Sequence, residues 1–226
     1  MKMNGVFDGT YLELLCFTND FEAAFSIIEE GLSSQTFTLH TENSDGRDNS
    51  RLDEGVISDY LTRTFVGVRR GVSREIGDIW LGNLPINIKV VEDRPTQANN
   101  LVGSTSFVKY VFNASRCNTT VDIARTLVNT PSEQKLKKYG LIIITKETNR
   151  IWVGSFDQIP MDHIRINPSN GIQITWPSSK VSRTNEEYRD LMKRKMIELM
   201  EKWAEPLKVY ESLVRNDQGI GAVLHD

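Results

Sequence analysis

Residues 77–93 read GDIWLGNLPINIKVVED, with Asp78 followed nine positions later by Asn87 and Lys89 two beyond that. Side chains in a strand alternate between faces, so Ile86, Ile88 and Val90 share one face and Asn87 and Lys89 the other. The apolar face can enter a core. The polar face would present an amide and an ammonium beside Asp78 on a paired strand. Such groups suit phosphodiester hydrolysis. That reaction needs a hard cation, usually Mg²⁺, held by carboxylates and phosphate oxygens, which polarises the phosphate and lowers the pKa of a bound water. On this reading Asp78 is the principal metal ligand, and Asn87 offers a neutral carbonyl oxygen as the second. Lys89 orients the water or stabilises developing charge. Asp59, in the segment ISDYL, is a candidate further acid. Taken alone the pattern is loose, and many strands meet it, with Lys89 a solvated edge charge and Asp59 an exposed helix charge.

The elements that must hold these groups follow from periodicity. Residues 19–32 predict a helix, because Phe21, Ala24, Phe25 and Ile28 share a face and Gly31 can stop it. The polar run TENSDGRDNSR (41–51) predicts a loop, and 52–68 a second helix with Ile57, Tyr60, Leu61, Thr64 and Phe65 at helical spacing. Segments 77–82 and 85–92 predict a hairpin about a Gly-Asn turn. SFVKYVF (106–112) fits strand or helix, 119–129 reads as helix, and 139–156 as a second hairpin turning at Glu147 to Asn149. Residues 163–176 read strand, loop, strand. A long helix closes the chain, opened by a Thr184–Glu187 capping box and striped by Tyr188, Met192, Leu199, Trp203 and Tyr210, with Pro206 a kink. This order predicts an α/β (α+β) fold: a mixed β-sheet flanked by helices, without regular βαβ alternation.

Composition narrows the class. The 226 residues are 39% hydrophobic and 25% charged with a net charge of -3, and no apolar run reaches the ~20 residues of a membrane helix. The first residues lack the apolar core and cleavage site of a signal peptide. Cys16 and Cys117 have no metal-ligand or redox spacing, which suits a reducing cytoplasm. Arginines and lysines cluster at 63–74, 135–138 and 189–195, as solvated helix faces or phosphate contacts. No Walker loop, G-x-S-x-G elbow or H-E-x-x-H occurs, and His40, His163 and His225 are scattered.

Four segments carry a family resemblance: GVISDYL, GDIWLGNLPINIK, HIRINPSNGIQI and the closing helix EEYRDLMKRKMIELMEKWAEPLKVY. Together, over roughly 52–214, they resemble the PD-(D/E)xK type II restriction endonucleases, in particular the EcoRV-like, blunt-cutting branch. The resemblance places Asp78 and Lys89 at the family's acid and lysine, and Asp59 at an accessory acid. It implies a restriction-endonuclease-like fold as a single endonuclease domain over 1–226, with an N-terminal region (1–50), a catalytic and DNA-reading core (52–176) and a C-terminal helix (184–214). It further implies a Mg²⁺-dependent homodimer cutting palindromic duplex DNA, with a companion DNA methyltransferase in the same system. Thr96, Gln97, Asn99 and Asn100 would approach the minor groove and scissile strand. Arg165, Asn167, Ser169, Asn170 and Gln173 would contact bases in the major groove, as Asn and Gln can pair with adenine and Arg with guanine. Without the resemblance, the Asn and Gly residues here are turn formers. Asn87 departs from the family, which carries Asp or Glu there. Three explanations stand open: a natural amide supported by another acid such as Asp59, an introduced Asp→Asn change, or a degenerate site that binds DNA without cutting.

Overall fold

A computed structural model describes residues 20–39, 46–72, 75–92, 99–169 and 171–223; side chains of 46–50, Asn99, Leu207, Tyr210 and 213–223 are not part of that description. Readings placed on 1–19, 41–45, Thr96, Gln97 and Asn170 therefore lie outside the described residues.

Helix α1 spans Phe21–Ser33 and buries Ala24, Phe25, Ile28 and Leu32, the face set by its three-and-four spacing. Helix α2 spans Gly46–Thr64, beginning inside the stretch whose polarity predicts a loop. Its apolar stripe Ile57, Leu61 is buried against the sheet together with Phe65 just beyond it, and that packing outweighs the weak helix preference of the polar first turns.

Strands β1 (Val68–Arg70), β2 (Ile79–Leu81) and β3 (Leu84–Val91) form an antiparallel run. The β2–β3 turn has two residues, and Gly82 adopts φ 58°, a left-handed conformation that glycine takes without Cβ strain. A two-residue strand β4 (Asn99–Asn100) follows, then helices α3 (Ser104–Val111) and α4 (Thr120–Asn129). Segment 106–112 thus resolves as mostly helical. The chain re-enters the first sheet as β5 (Gly140–Thr145), parallel to β3, and turns back as β6 (Ile151–Ser155), giving the order β1-β2-β3-β5-β6. Two short 3₁₀ turns lead to β7 (Ile164–Asn167) and β8 (Gly171–Ile174), which make a second, three-stranded sheet in the order β4-β8-β7. Helix α5 (Asn185–Val223) closes the chain and continues through Pro206. Its start is fixed reciprocally: the Glu187 carboxylate accepts from the Thr184 N–H at 2.7 Å and the Thr184 hydroxyl accepts from the Glu187 N–H at 3.2 Å.

The mixed sheet flanked by helices, with its long C-terminal helix, is the architecture expected from the order of elements. Both faces of the first sheet are covered. Ile86, Ile88 and Val90 join α1 and α2 in one core, while Val91, Leu141 and Ile143 join α3, α4, α5 and the second sheet in the other. A parallel pair such as β3–β5 is ordinarily buried on both faces. Asn87 is therefore only 8% exposed, where strand alternation alone predicts an open polar face.

Candidate active-site cleft

The site is built where β2 ends before β3 does. Pairing of these strands stops at Ile79 opposite Ile86. Asp78 leaves that register, turning to Ile86, the residue already paired with Ile79. The Asp78 N–H donates to the Ile86 carbonyl at 2.9 Å. Beyond this point the Ile88 N–H has no strand residue to meet, and the Asp78 carboxylate accepts it through Oδ2 at 2.7 Å. Asp78 thus caps the open edge of β3. The Asn87 amide oxygen is buried with no hydrogen-bond partner, an arrangement that ordinarily costs about 1–3 kcal/mol.

Lys89 leaves the same strand two residues on. Its Nζ lies 3.2 Å from Oε1 of Glu54 on α2, with side chains 16% and 18% exposed. Asp59, the acid singled out on that helix, does not join this group. Its carboxylate is 2.8 Å from Arg70, at an exposed pair. Five helical positions separate the two acids, roughly 140° of rotation, so they face different ways. Arg51, Glu54 and Ser58, at steps of three and four, share the cleft-facing side. Neighbouring Asp53 turns inward, fully buried, and pairs with Lys146 at 3.0 Å, which anchors α2 to the end of β5.

The connection from β1 to β2 forms the other wall of the cleft, whose volume is ≈ 320 Å³. Gly71 donates to the Asp78 carbonyl at 2.8 Å, and a Cβ on Gly71 would stand 2.1 Å from the Gly77 carbonyl oxygen, so only glycine allows this approach. Glu75 lines the cleft but is held by Arg69 at 2.9 Å, and that hydrogen bond draws its carboxyl below the ordinary range. From the core, the buried Tyr139 hydroxyl donates to the Ile76 carbonyl, two residues before Asp78. Burial, and then the charge of Asp78, hold this phenol well above its usual pKa.

Among the described residues no group of three or more His, Cys, Asp or Glu side chains stands together as a metal site. The oxygens a hard cation would find are those of Asp78 and the unpartnered Asn87 carbonyl, with Glu54 across the cleft engaged by Lys89. This sparse set suits Mg²⁺, which is held through one or two carboxylates while water and substrate phosphate supply the remaining ligands.

The second group of candidates lies on the three-stranded sheet. Asn100 pairs in register with Gln173, and Gln173 with Arg165, so the three form one row across β4, β8 and β7. The Gln173 amide donates to Asn100 at 2.7 Å. The opposite face carries Ile164, Ile166, Ile172 and Ile174 into the core. Asn167 accepts from the Ser169 N–H at 2.9 Å, an Asx turn that shapes the loop tip. Backbone pairing places Asn99 opposite Ile174. The edge of β7 is held from α5: Lys195, Lys202 and the Trp203 indole donate to the carbonyls of Ile164, Ile166 and Pro168 at 2.8, 2.8 and 2.7 Å. His163 meets the Thr175 hydroxyl at 3.0 Å and stands in neither group.

Reading the sequence passes over Glu54, Ser58 and Arg51, and meets Arg70 only within the basic cluster 63–74. The helical phase holds the signal: with Ile57 and Leu61 facing the sheet, 51, 54 and 58 fall together on the adjoining flank.

No family model matches the sequence, and no curated protein matches it. Among solved structures, the NlaIV restriction endonuclease is similar at a TM-score of 0.40 with 10% sequence identity, over 80% of this chain and 88% of that one.

Proposed function

We propose that this chain is an endonuclease subunit that hydrolyses phosphodiester bonds of duplex DNA with Mg²⁺. The observation that carries this reading is the Asp78 carboxylate bound to the Ile88 N–H at the open edge of β3, between Asn87 and Lys89 of that strand, with Glu54 meeting Lys89 from α2. Bound Mg²⁺ would supply charge neutralisation and an acidified water. Asp78 and the Asn87 carbonyl would hold it. Lys89, kept in place by Glu54, would orient the attacking water or offset charge growing on the phosphate. An amide at the second ligand position removes one negative charge from the site, so activity is weak relative to a site with two carboxylates.

The finer reading is a type II restriction enzyme of the EcoRV-like branch: a single endonuclease domain acting as a homodimer in the cytoplasm, with a two-fold protein matching a two-fold site and a companion methyltransferase protecting it. The row Asn100, Gln173 and Arg165, with Asn167 and Ser169 at the loop tip and with Asn170, would read bases, and Thr96, Gln97 and Asn99 would follow the backbone.

Incubation of the protein with long duplex DNA and Mg²⁺ at low salt tests this. Discrete fragments support a site-specific enzyme, and smearing favours a nuclease without a fixed site. Intact DNA, unchanged after Asn87→Asp, favours the second reading, a DNA-binding protein without catalysis. The unpartnered Asn87 oxygen is the observation behind that alternative.

A further inference from the structure

The cleft carries charges of both signs, and metal binding would draw on its acidic end alone. Glu54, Glu75 and Asp78 gather carboxylates that repel a polyanion, in a chain whose net charge is already -3. Arg51 and Arg70 line the same cleft. Arg70 stretches along α2, its Nη2 3.5 Å from where a Cβ of Gly55 would stand and its Nη1 2.8 Å from Asp59. The guanidinium lies beside the helix at Gly55, at a distance where even a Cβ would make ordinary van der Waals contact. Its pairing with Asp59 is exposed, with side chains 56% and 45% accessible, and pairs of this kind contribute little energy, so Arg70 can turn to a stronger anion. Arg69, by contrast, is committed to Glu75 and lies over the Trp80 ring at 4.8 Å. A second feature points to a ligand. Ser58, 3% exposed and lining the cleft, has a hydroxyl with no hydrogen-bond partner.

We infer that Arg70, Arg51 and Ser58 form a phosphate subsite of this cleft, which receives a backbone phosphate of the nucleic acid next to the one that a cation at Asp78 would hold. The inference rests on the proposed action on DNA and supplies the positive charge that action needs. Planar guanidinium groups bind phosphate oxygens through paired hydrogen bonds, and the serine hydroxyl becomes satisfied when the phosphate seats. Asp59 holds Arg70 over the cleft until then, which makes it a positioning residue and no metal ligand.

The test is the salt dependence of duplex DNA binding, measured with Ca²⁺ in place of Mg²⁺ so that the DNA stays intact. Removing one ion pair to phosphate lowers the slope of log K against log salt by about one. Arg70→Ala and Arg51→Ala are expected to flatten the slope by that amount each, and Arg70→Lys to restore the slope with weaker affinity. Ser58→Ala is expected to raise the melting temperature, because an unpaired buried hydroxyl is removed, while weakening DNA binding several-fold. Unchanged slopes in both arginine variants of a parent that binds DNA overturn the subsite. A parent that binds no duplex DNA overturns the proposed function instead.

Discussion

The cleft and the three-stranded sheet are both polar surfaces on rigid strands, yet they treat their hydrogen-bonding groups in opposite ways. The buried Ser58 hydroxyl in the cleft and the buried Asn87 oxygen on β3 lack partners. Along β7, three backbone carbonyls are matched by three donors from α5, and Gln173 is matched by Asn100. Unpaired buried groups cost stability, and a ligand can complete them, whereas satisfied groups hold a shape without one; Trp152 in the core and Tyr188 on α5 also carry unpartnered polar atoms. On the proposed function, the first surface would bind and react and the second would hold a recognition edge in place.

The sharpest way to break this division is Lys89→Ala. It is expected to lower cutting by on the order of 10²–10³-fold, a loss of the size seen when one charge-stabilising donor is removed from an active site. Duplex affinity should stay within a few-fold, read by gel shift in Ca²⁺. Cutting at the parent rate would return Lys89 to the status of an edge charge paired with Glu54. On the other surface, Lys195→Met leaves the buried Ile164 carbonyl without its donor, and should reduce stability by about 1–3 kcal/mol in urea unfolding while Lys89-dependent chemistry in the folded fraction persists. An unchanged unfolding midpoint would show that β7 needs no support from α5. Next in size is Gln173→Ala, expected to relax discrimination at one base pair by about 1–3 kcal/mol with little change in the salt slope. Equal weakening on every sequence would remove Gln173 from base reading.

The same contrast explains what can be read from sequence. Both hairpins, their turns and the capping box at Thr184 are legible because local chemistry dictates them: a Gly-Asn pair, alternating apolar residues, a threonine three residues ahead of a glutamate. Asp78 and Lys89 are legible as types at a spacing. Glu54 is not, because its partner lies 35 residues further along the chain and only the docking of α2 on β3 joins them. The polar run 46–51 reads as a loop for the same reason. Its helicity is sustained by packing further along α2, where Ile57 and Leu61 are buried. Nor can alternation reveal that Asn87 is buried, since it tells which residues share a face and not whether both faces are covered.

The smallest effect is expected at Tyr139, which joins the core to the cleft through the Ile76 carbonyl. Its phenol is fully buried and held well above the ordinary value near 10, by burial first and by Asp78 second. The sign follows from linkage. The unfolded chain releases this proton near pH 10 and the folded chain only higher, so the stabilisation is complete below pH 10 and erodes as pH rises beyond it. Tyr139→Phe keeps the ring contacts with Phe107 but deletes both the hydrogen bond and the titrating group. Stability near neutrality, read from urea unfolding, should therefore fall by about 1 kcal/mol. Between pH 10 and 11 the variant should lose less stability than the parent, with the buried Tyr188 supplying the remaining slope. If the hydrogen bond positions the segment carrying Asp78, the variant should also lower the rate constant for cutting more than the affinity for DNA. A drop in stability with both parameters unchanged would make Tyr139 part of the frame alone, on the satisfied side of the comparison.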